Sequence, residues 1–427
     1  MKPIHWMTLL LTLLPPVLPG AQEIGDHADD LRHLVQWARP GGSIRAGYWS
    51  SSRTLDDRER LATAALWLKA EPKLWSHTAI VVEGWLRNQE LFHADATQAK
   101  LREAYVDTSL GPVDMRVGKQ LIVWGRADRI NPTDNLTPRD FTLLVPDDDD
   151  QRLGTVAIKA TYYLAGVALT GIWLPDFQPH TVPMPRPAPP LTIRERVPRG
   201  TLDQWAIRIE QTGKAVDWSL SYFDGFDLFP DLGIDQASAA SVDLLLRYHR
   251  IRVIGADAAT TIGRYGLRGE LAYTFTQDPT GTNPFVKNPF VFLVIGADRT
   301  FFEYLNMNVQ CILRVVANYR SPPETLDPLQ RGMALQQAVV TNQRDRWQHA
   351  ASLRLSHKWL HESLEGEVVG VVSFTHFGYA IRPKVTYAFT DRWKGIIGAD
   401  VFGGDRHSFF GNLRDNTAVY AEFRWSF

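Results

Sequence analysis

Apolar and polar side chains alternate along most of the chain. In Trp205-Ala206-Ile207-Arg208-Ile209-Glu210, Trp205, Ile207 and Ile209 share one face while Arg208 and Glu210 share the other. A period of two marks an extended strand with one oily and one polar face. Past a turn around Gly213, Val216, Trp218, Leu220 and Tyr222 alternate with Asp217, Ser219 and Ser221, which predicts a hairpin. The same period sets Leu267, Leu271, Tyr273 and Phe275 against Arg268, Glu270 and Thr274, and Ile381, Val385, Tyr387 and Phe389 against Arg382, Lys384 and Thr386. It continues to the last residue, with Val419, Ala421, Phe423, Trp425 and Phe427 opposite Tyr420, Glu422 and Arg424.

Many of these strands run for about 10 to 14 residues, longer than the five or six usual in soluble sheets. That length suits a strand crossing a bilayer at a tilt. Tyr48, Trp49, Trp75, Trp85, Tyr162, Trp173, Trp205, Trp393 and Trp425 gather near apolar strand ends, as interfacial girdles require. The pattern therefore predicts an all-β fold, a transmembrane antiparallel β-barrel of about eighteen strands (16–18 by the count of segments). The first is expected at 43–52 and the last at 415–427, with 239–260 taken as one long strand. The long connections 124–153, 176–201, 226–238, 277–289, 321–345 and 405–414 then fall at one end and the short turns at the other. A final strand closing on Phe427 resembles the C-terminal signature read by the outer-membrane barrel-assembly machinery.

Residues 1–21, with Lys2, an apolar stretch from Met7 to Leu14 and small residues Gly20 and Ala21, read as a signal peptide. Residues 22–39 place Leu31, Leu34, Val35 and Trp37 at helical spacing, predicting a short periplasmic or lumenal helix, and 40–427 form the barrel. Export and a barrel together imply the outer membrane of a Gram-negative bacterium, in contact with its lipid and lipopolysaccharide. Composition narrows the classes further. Lys+Arg 46 against Asp+Glu 47 leaves a net charge of -1, without the basic excess of a nucleic-acid binder. A single cysteine, Cys311, excludes an internal disulfide framework and cysteine-ligated clusters, so no cofactor is expected on that ground.

One connection is unusual. RVGKQLIVWGRADRINPTDNLTPRDF, residues 116–141, begins as a strand and then becomes crowded with charge beside Trp124-Gly125. Lumen walls are polar and wet. Residues 124–153 are therefore expected to bend into the lumen and constrict it, with Arg126, Asp128, Arg129, Asp134, Arg139 and Asp140 meeting wall charges such as Arg116, Lys119, Arg208, Glu210, Arg268 and Glu270. Opposed charges at a constriction filter solutes by charge and size. The same pairs would equally anchor the loop, and both roles stay open. The acidic run Asp147–Asp150 reads either as a solvated face or as a divalent-cation site; it lacks the spacing of a defined calcium loop, which favours solvation. His357 and His361 are four apart but without a glutamate between them, on a predicted strand turn, so no metal is assigned.

The stretch also resembles a group of proteobacterial outer-membrane barrels that carry a "GRQ…WG…D…NP.D" segment, porin-like and often encoded beside RND-type exporters. Matching positions are Gly118, Gln120, Trp124, Gly125, Asp128, Asn131, Pro132 and Asp134, with Lys119 where arginine is usual. The resemblance covers about thirty residues and implies passage of small solutes or of lipid and other hydrophobic molecules, with a periplasmic or RND-type exporter component as partner. Two alternatives stand beside a channel: a barrel enzyme of lipase type, or a structural barrel serving a periplasmic transport system. An enzyme is disfavoured because Ser356, His357, Ser373 and His376 do not read as a nucleophile with an oriented base.

Overall fold

The computed structural model describes residues 36–51, 53, 61–91, 96–184, 191–200, 203–237 and 242–427. The expected leader and most of segment 22–39 lie outside the described residues, as do residues 185–190 of the stretch PMPRPAPP, 183–190, which is too rich in proline to pair in a sheet; residues 36–38 make one helical turn.

Eighteen antiparallel strands close into a barrel. The first, Gly41–Trp49, pairs with the last, Ala418–Ser426, in a ladder from Ser43↔Ser426 to Trp49↔Tyr420. Gly42 and Phe427 extend that seam by exchanging two backbone hydrogen bonds at 3.1 Å. Closure leaves no sheet edge, the condition for strands to cross lipid.

The side chains are inside out relative to a soluble protein. Ile397 is 68 % exposed on the outer surface, while Asp400, three residues on and on the other face, is fully buried. Ile254, Leu271 and Ile295 likewise point outward; Glu270, Asn308 and Gln310 point in. The oily face thus meets acyl chains and the polar face an enclosed interior. Trp347 and Trp359 stand exposed at the two ends of one strand. Twelve residues at about 3.4 Å each and a tilt of about 40° set them about 30 Å apart, close to a hydrocarbon core.

Three expectations are corrected. Trp49 and Trp85 do not join the girdle but face inward and are buried, because each lies on the lumenal parity of its strand. Residues 239–260 are not one strand: Val242–Arg247 leaves the barrel and Arg250–Ile262 begins it again. Leu244-Leu245-Leu246 breaks the alternation, and such an apolar run suits a strand covered on both faces. Val242–Arg247 accordingly centres a three-stranded sheet, antiparallel to Asp231–Ala237 and parallel to Leu191–Arg196. Finally, the long connection 321–345 is not plain loop. It folds the helix Pro328–Val340, whose proline start is capped by Asp327 accepting from the N–H of Leu329 and Gln330. Helix and small sheet both sit at the end with the long connections, joined where the Leu232 N–H donates to Gln337 Oε1 at 2.7 Å.

Candidate functional site

The lumen is occupied by residues 121–154. This segment leaves the strand Val113–Gln120 and returns to the adjacent Thr155–Leu164, yet its side chains reach strands on the far side of the barrel. At its base Thr137 Oγ1 accepts from the Ile122 N–H at 2.9 Å and donates to the Ile122 carbonyl at 2.6 Å, pinching the turn shut. Trp124 is buried there among Ile122, Leu136, Ile172 and Phe223, with the Arg208 guanidinium 5.7 Å from its ring centroid.

In the first half of the loop one wall carboxylate gathers five donors. Glu270, 1 % exposed, accepts from the backbone N–H groups of Arg126, Ala127 and Thr133 at 3.0, 3.2 and 2.7 Å, from Thr133 Oγ1 at 2.8 Å and from Asn131 Nδ2 at 3.2 Å. A carboxylate so surrounded satisfies itself and several loop donors at once. Gly125, at φ +99°, passes so close that a Cβ would lie 2.5 and 2.6 Å from the Glu270 oxygens. The motif Trp124-Gly125 to Asn131-Pro132 is thus the shape of a chain wrapped round an acid. Upstream, Gly118 adopts φ +127° against the Ala104 carbonyl, and the buried Gln120 donates to the Ala157 carbonyl at 3.0 Å.

The expected charges distribute as follows. Arg126 meets Asp257 at 2.6 Å, with Asp217 at 3.7 Å and Glu210 at 3.9 Å. Asp128 meets Arg354 at 2.6 Å, and Arg129 meets Glu367 at 2.9 Å. Asp140 pairs with Lys100 on the wall. Asp134 and Arg139 face each other at 3.8 Å around Arg152, which reaches Asp134 at 2.7 Å, so these two brace the loop itself. Burial pushes the Asp134 carboxyl above its usual value, against the pull of Arg152 and Arg139. Beside them the buried His180 accepts the Arg139 N–H at 2.8 Å, and burial together with nearby cations drives its pKa down to about 3. Arg116 does not meet the loop: its partner is Asp107 on the neighbouring strand, at 2.6 Å. Among the described residues no carboxylate lies within ion-pair distance of Lys119. Arg268 pairs with Asp298 and also donates to the Arg126 carbonyl at 3.2 Å.

The sequence reading missed the partners of Asp147–Asp150. The run turns as a short 3-10 helix, Asp148–Gln151, that sets Asp147, Asp148 and Asp150 against a basic wall and leaves Asp149, its side chain 86 % exposed, toward solvent. Asp147 meets Lys384 at 2.9 Å and Arg424 at 3.3 Å, Asp148 meets Arg382, with Arg129 at 3.2 Å, and Asp150 meets Arg45. A bulge opposite Glu83/Gly84 turns Arg102 inward, where it donates to the carbonyls of Asp149 at 2.7 Å and Arg152 at 3.0 Å. Between the two halves Leu143 and Val145 pack on Trp85, and Leu144 packs with Trp49, Leu61 and Tyr420. Burying such side chains is worth about 1.5–3 kcal/mol each. The inward tryptophans therefore serve the loop.

By sequence, no curated protein matches the chain. A family model described as "Protein of unknown function (DUF1302)" matches residues 76–427. The chain belongs to the DUF1302 family. Among solved structures, this DUF1302 barrel is similar to OccK8 (OprE) of Pseudomonas aeruginosa, with a TM-score of 0.53 and 10% identity over 91% of this chain and 97% of that one. OccK11 (OpdR) of the same species gives 0.52 and 10% over 91% and 95%, and OccAB2 of Acinetobacter baumannii 0.53 and 10% over 91% and 97%. At such identity the likeness carries the fold, a barrel of outer-membrane porin type.

Proposed function

We propose that this DUF1302 protein is an outer-membrane channel for small solutes, its lumen narrowed by residues 124–153. The observation that carries the reading is the placement of that loop inside a closed barrel, clamped between an acidic wall at Asp257 and Glu270 and a basic wall at Arg382, Lys384 and Arg424. Charges of opposite sign on facing walls, with a loop between, sort solutes by size and charge. The fold likeness to outer-membrane porins supports a transport role. In that setting the oily belt contacts lipid and lipopolysaccharide, the strand ending at Phe427 addresses the assembly machinery, and a periplasmic exporter component would meet the short-turn end. The motif resemblance extends the cargo to hydrophobic molecules.

The test is single-channel recording in planar bilayers. A barrel lacking residues 126–140 should conduct severalfold better than the intact protein and discriminate ions less. Equal conductance of the two would remove the loop from the permeation path.

A further inference from the structure

Arg299 stands on the lipid-facing wall, not in the lumen. It shares its face with the exposed Ile295, while Asp298 beside it points inward to Arg268. The register Gly266↔Asp298 sets Tyr265 of the neighbouring strand level with Arg299. The short turn 302–304 closes this hairpin three residues further on. Three residues of a strand tilted by about 40° climb roughly 8 Å. A headgroup zone is about 5–8 Å deep, so Arg299 lies where the headgroups of the periplasmic leaflet meet the hydrocarbon.

A guanidinium at that depth is costly unless its charge and donors are met. The protein meets only part of the demand. Nη1 donates to the Tyr265 hydroxyl at 2.6 Å, and the guanidinium carbon lies 4.8 Å from the Tyr265 ring centroid and 4.6 Å from that of Phe301. Phe301 is the next residue on this face toward the turn, so the head group is directed at the interface. The rings attract the cation but neutralise no charge. Nε has no hydrogen-bond partner, and among the described residues no carboxylate lies within ion-pair distance of Arg299. Arg250 and Arg252, on the lipid face at the opposite end, are by contrast paired with Asp224. In the adjoining turns Arg264 and Glu303 are both exposed and balance each other, which leaves Arg299 as the net charge.

We infer that Arg299 and Tyr265 form a site for the phosphate of a glycerophospholipid in the periplasmic leaflet. The phosphodiester takes the remaining donors of the guanidinium fork, whose geometry matches two of its oxygens. Its acyl chains run up the wall over Ile295 and Leu271, which are exposed on the same face. The inference goes beyond the channel reading, since a site outside the barrel requires no open lumen.

Native mass spectrometry of the detergent-refolded full barrel reads bound lipid directly. Dioleoylphosphatidylglycerol is a suitable probe, with dioleoylglycerol, which has the same chains and no phosphate, as its counterpart. The parent should retain the phospholipid and hold dioleoylglycerol about tenfold or more weakly, as expected for loss of charge-assisted hydrogen bonds. Arg299→Gln should weaken the phospholipid by a similar factor. Arg299→Lys keeps the charge but not the fork; it should weaken the phospholipid by a smaller factor and keeps the test decisive if Arg299→Gln misfolds, which heat-modifiable gel mobility reports. Arg252→Gln, at an arginine that already has its acid, should leave binding unchanged. Excess inorganic phosphate should not displace the lipid, because the chains also hold it. Absence of phospholipid binding, equal retention of dioleoylglycerol, full binding by Arg299→Gln or Arg299→Lys, an equal loss in Arg252→Gln, or displacement by free phosphate would each overturn the assignment.

Discussion

Gly125→Ala is the sharpest probe of how the loop is held. The new methyl group would sit 2.5 and 2.6 Å from the two Glu270 oxygens and 2.5 Å from Asn131 Nδ2, at a residue whose φ is +99°. Forcing a non-glycine residue into such backbone costs about 1–3 kcal/mol. The carboxylate must also retreat, and each charge-assisted hydrogen bond lost costs about 1.5–3 kcal/mol. With ~1 kcal/mol of strain and two bonds lost at the lower value, docking of this half weakens by about 4 kcal/mol, close to a thousandfold. The second half keeps its own anchors, the packing of Leu143–Val145 and the ion pairs of Asp147, Asp148 and Asp150. Release should therefore be confined to the stretch carrying Arg126 and Arg129. Trypsin, which needs those side chains and a mobile backbone, should cut the folded variant there and spare the parent, and bilayer conductance should rise. Gly213→Ala supplies the control: its φ is +79°, yet nothing lies within 4 Å of the added Cβ, so it carries strain without collision. Parental trypsin resistance and conductance in Gly125→Ala would refute the account of Glu270 as the anchor.

Two further outcomes follow from the basic wall. At Asp147 and Asp148 burial pushes the carboxyls up, but Lys384 and Arg424 at the first, and Arg382, Arg53 and Arg129 at the second, more than reverse it, so both titrate below the usual range. A depressed folded pKa gives stability that is present above the unfolded value of about 3.9 and is lost as pH falls through the folded one. Conductance should then stay flat from pH 7 to 5 and rise only below about 4; a rise between 7 and 5 would contradict the pairing. Asp148→Asn alone should loosen the loop less than Asp148→Asn combined with Arg382→Gln, because the single variant leaves Arg382 held by Asp400 at 2.5 Å, whereas the double one also takes a partner from that buried acid. Limited proteolysis of the two variants tests this, and equal loosening would count against a coupled pair.

The barrel was legible because lipid imposes one rule on every strand: oily residues out, period two. Val419, Phe423 and Ile397 obey it, and nothing in the surroundings overrides it. The rule failed where its premise failed. Trp49 and Trp85 share the girdle's composition but not its parity, and parity alone, counted from Tyr48 or Leu86, would have turned them inward. Leu244-Leu245-Leu246 breaks the alternation outright, a signal that a strand covered on both faces had left the wall. In the loop, the charges of Arg126, Asp128 and Arg129 were legible as charges in need of partners, whereas the partners were not. Arg382, Lys384 and Arg424 could be placed on the polar face, but pairing them with Asp147 and Asp148 across more than two hundred residues depends on the path of the loop, which local pattern does not encode.

That path nevertheless has a logic in the order of its charges. Reading from the base, the loop presents Arg126, then the mixed pair Asp128 and Arg129, then the acidic run Asp147–Asp150. Apart from Asp140, which crosses to Lys100, the walls present the complement in the same order: Asp257 with Glu210 and Asp217, then Arg354 and Glu367, then Arg382, Lys384 and Arg424 with Arg45. A loop laid in the opposite sense would set Arg126 against the arginines and the acidic run against Asp257, and like charges in contact cost several kcal/mol. The apolar residues Leu143–Val145 would bury comparable area in many poses and do not choose among them. Area holds the loop in the lumen, and charge order decides which way it lies there. A solute passing beside it would therefore meet a field whose direction is fixed by the chain rather than by the moment-to-moment position of flexible side chains.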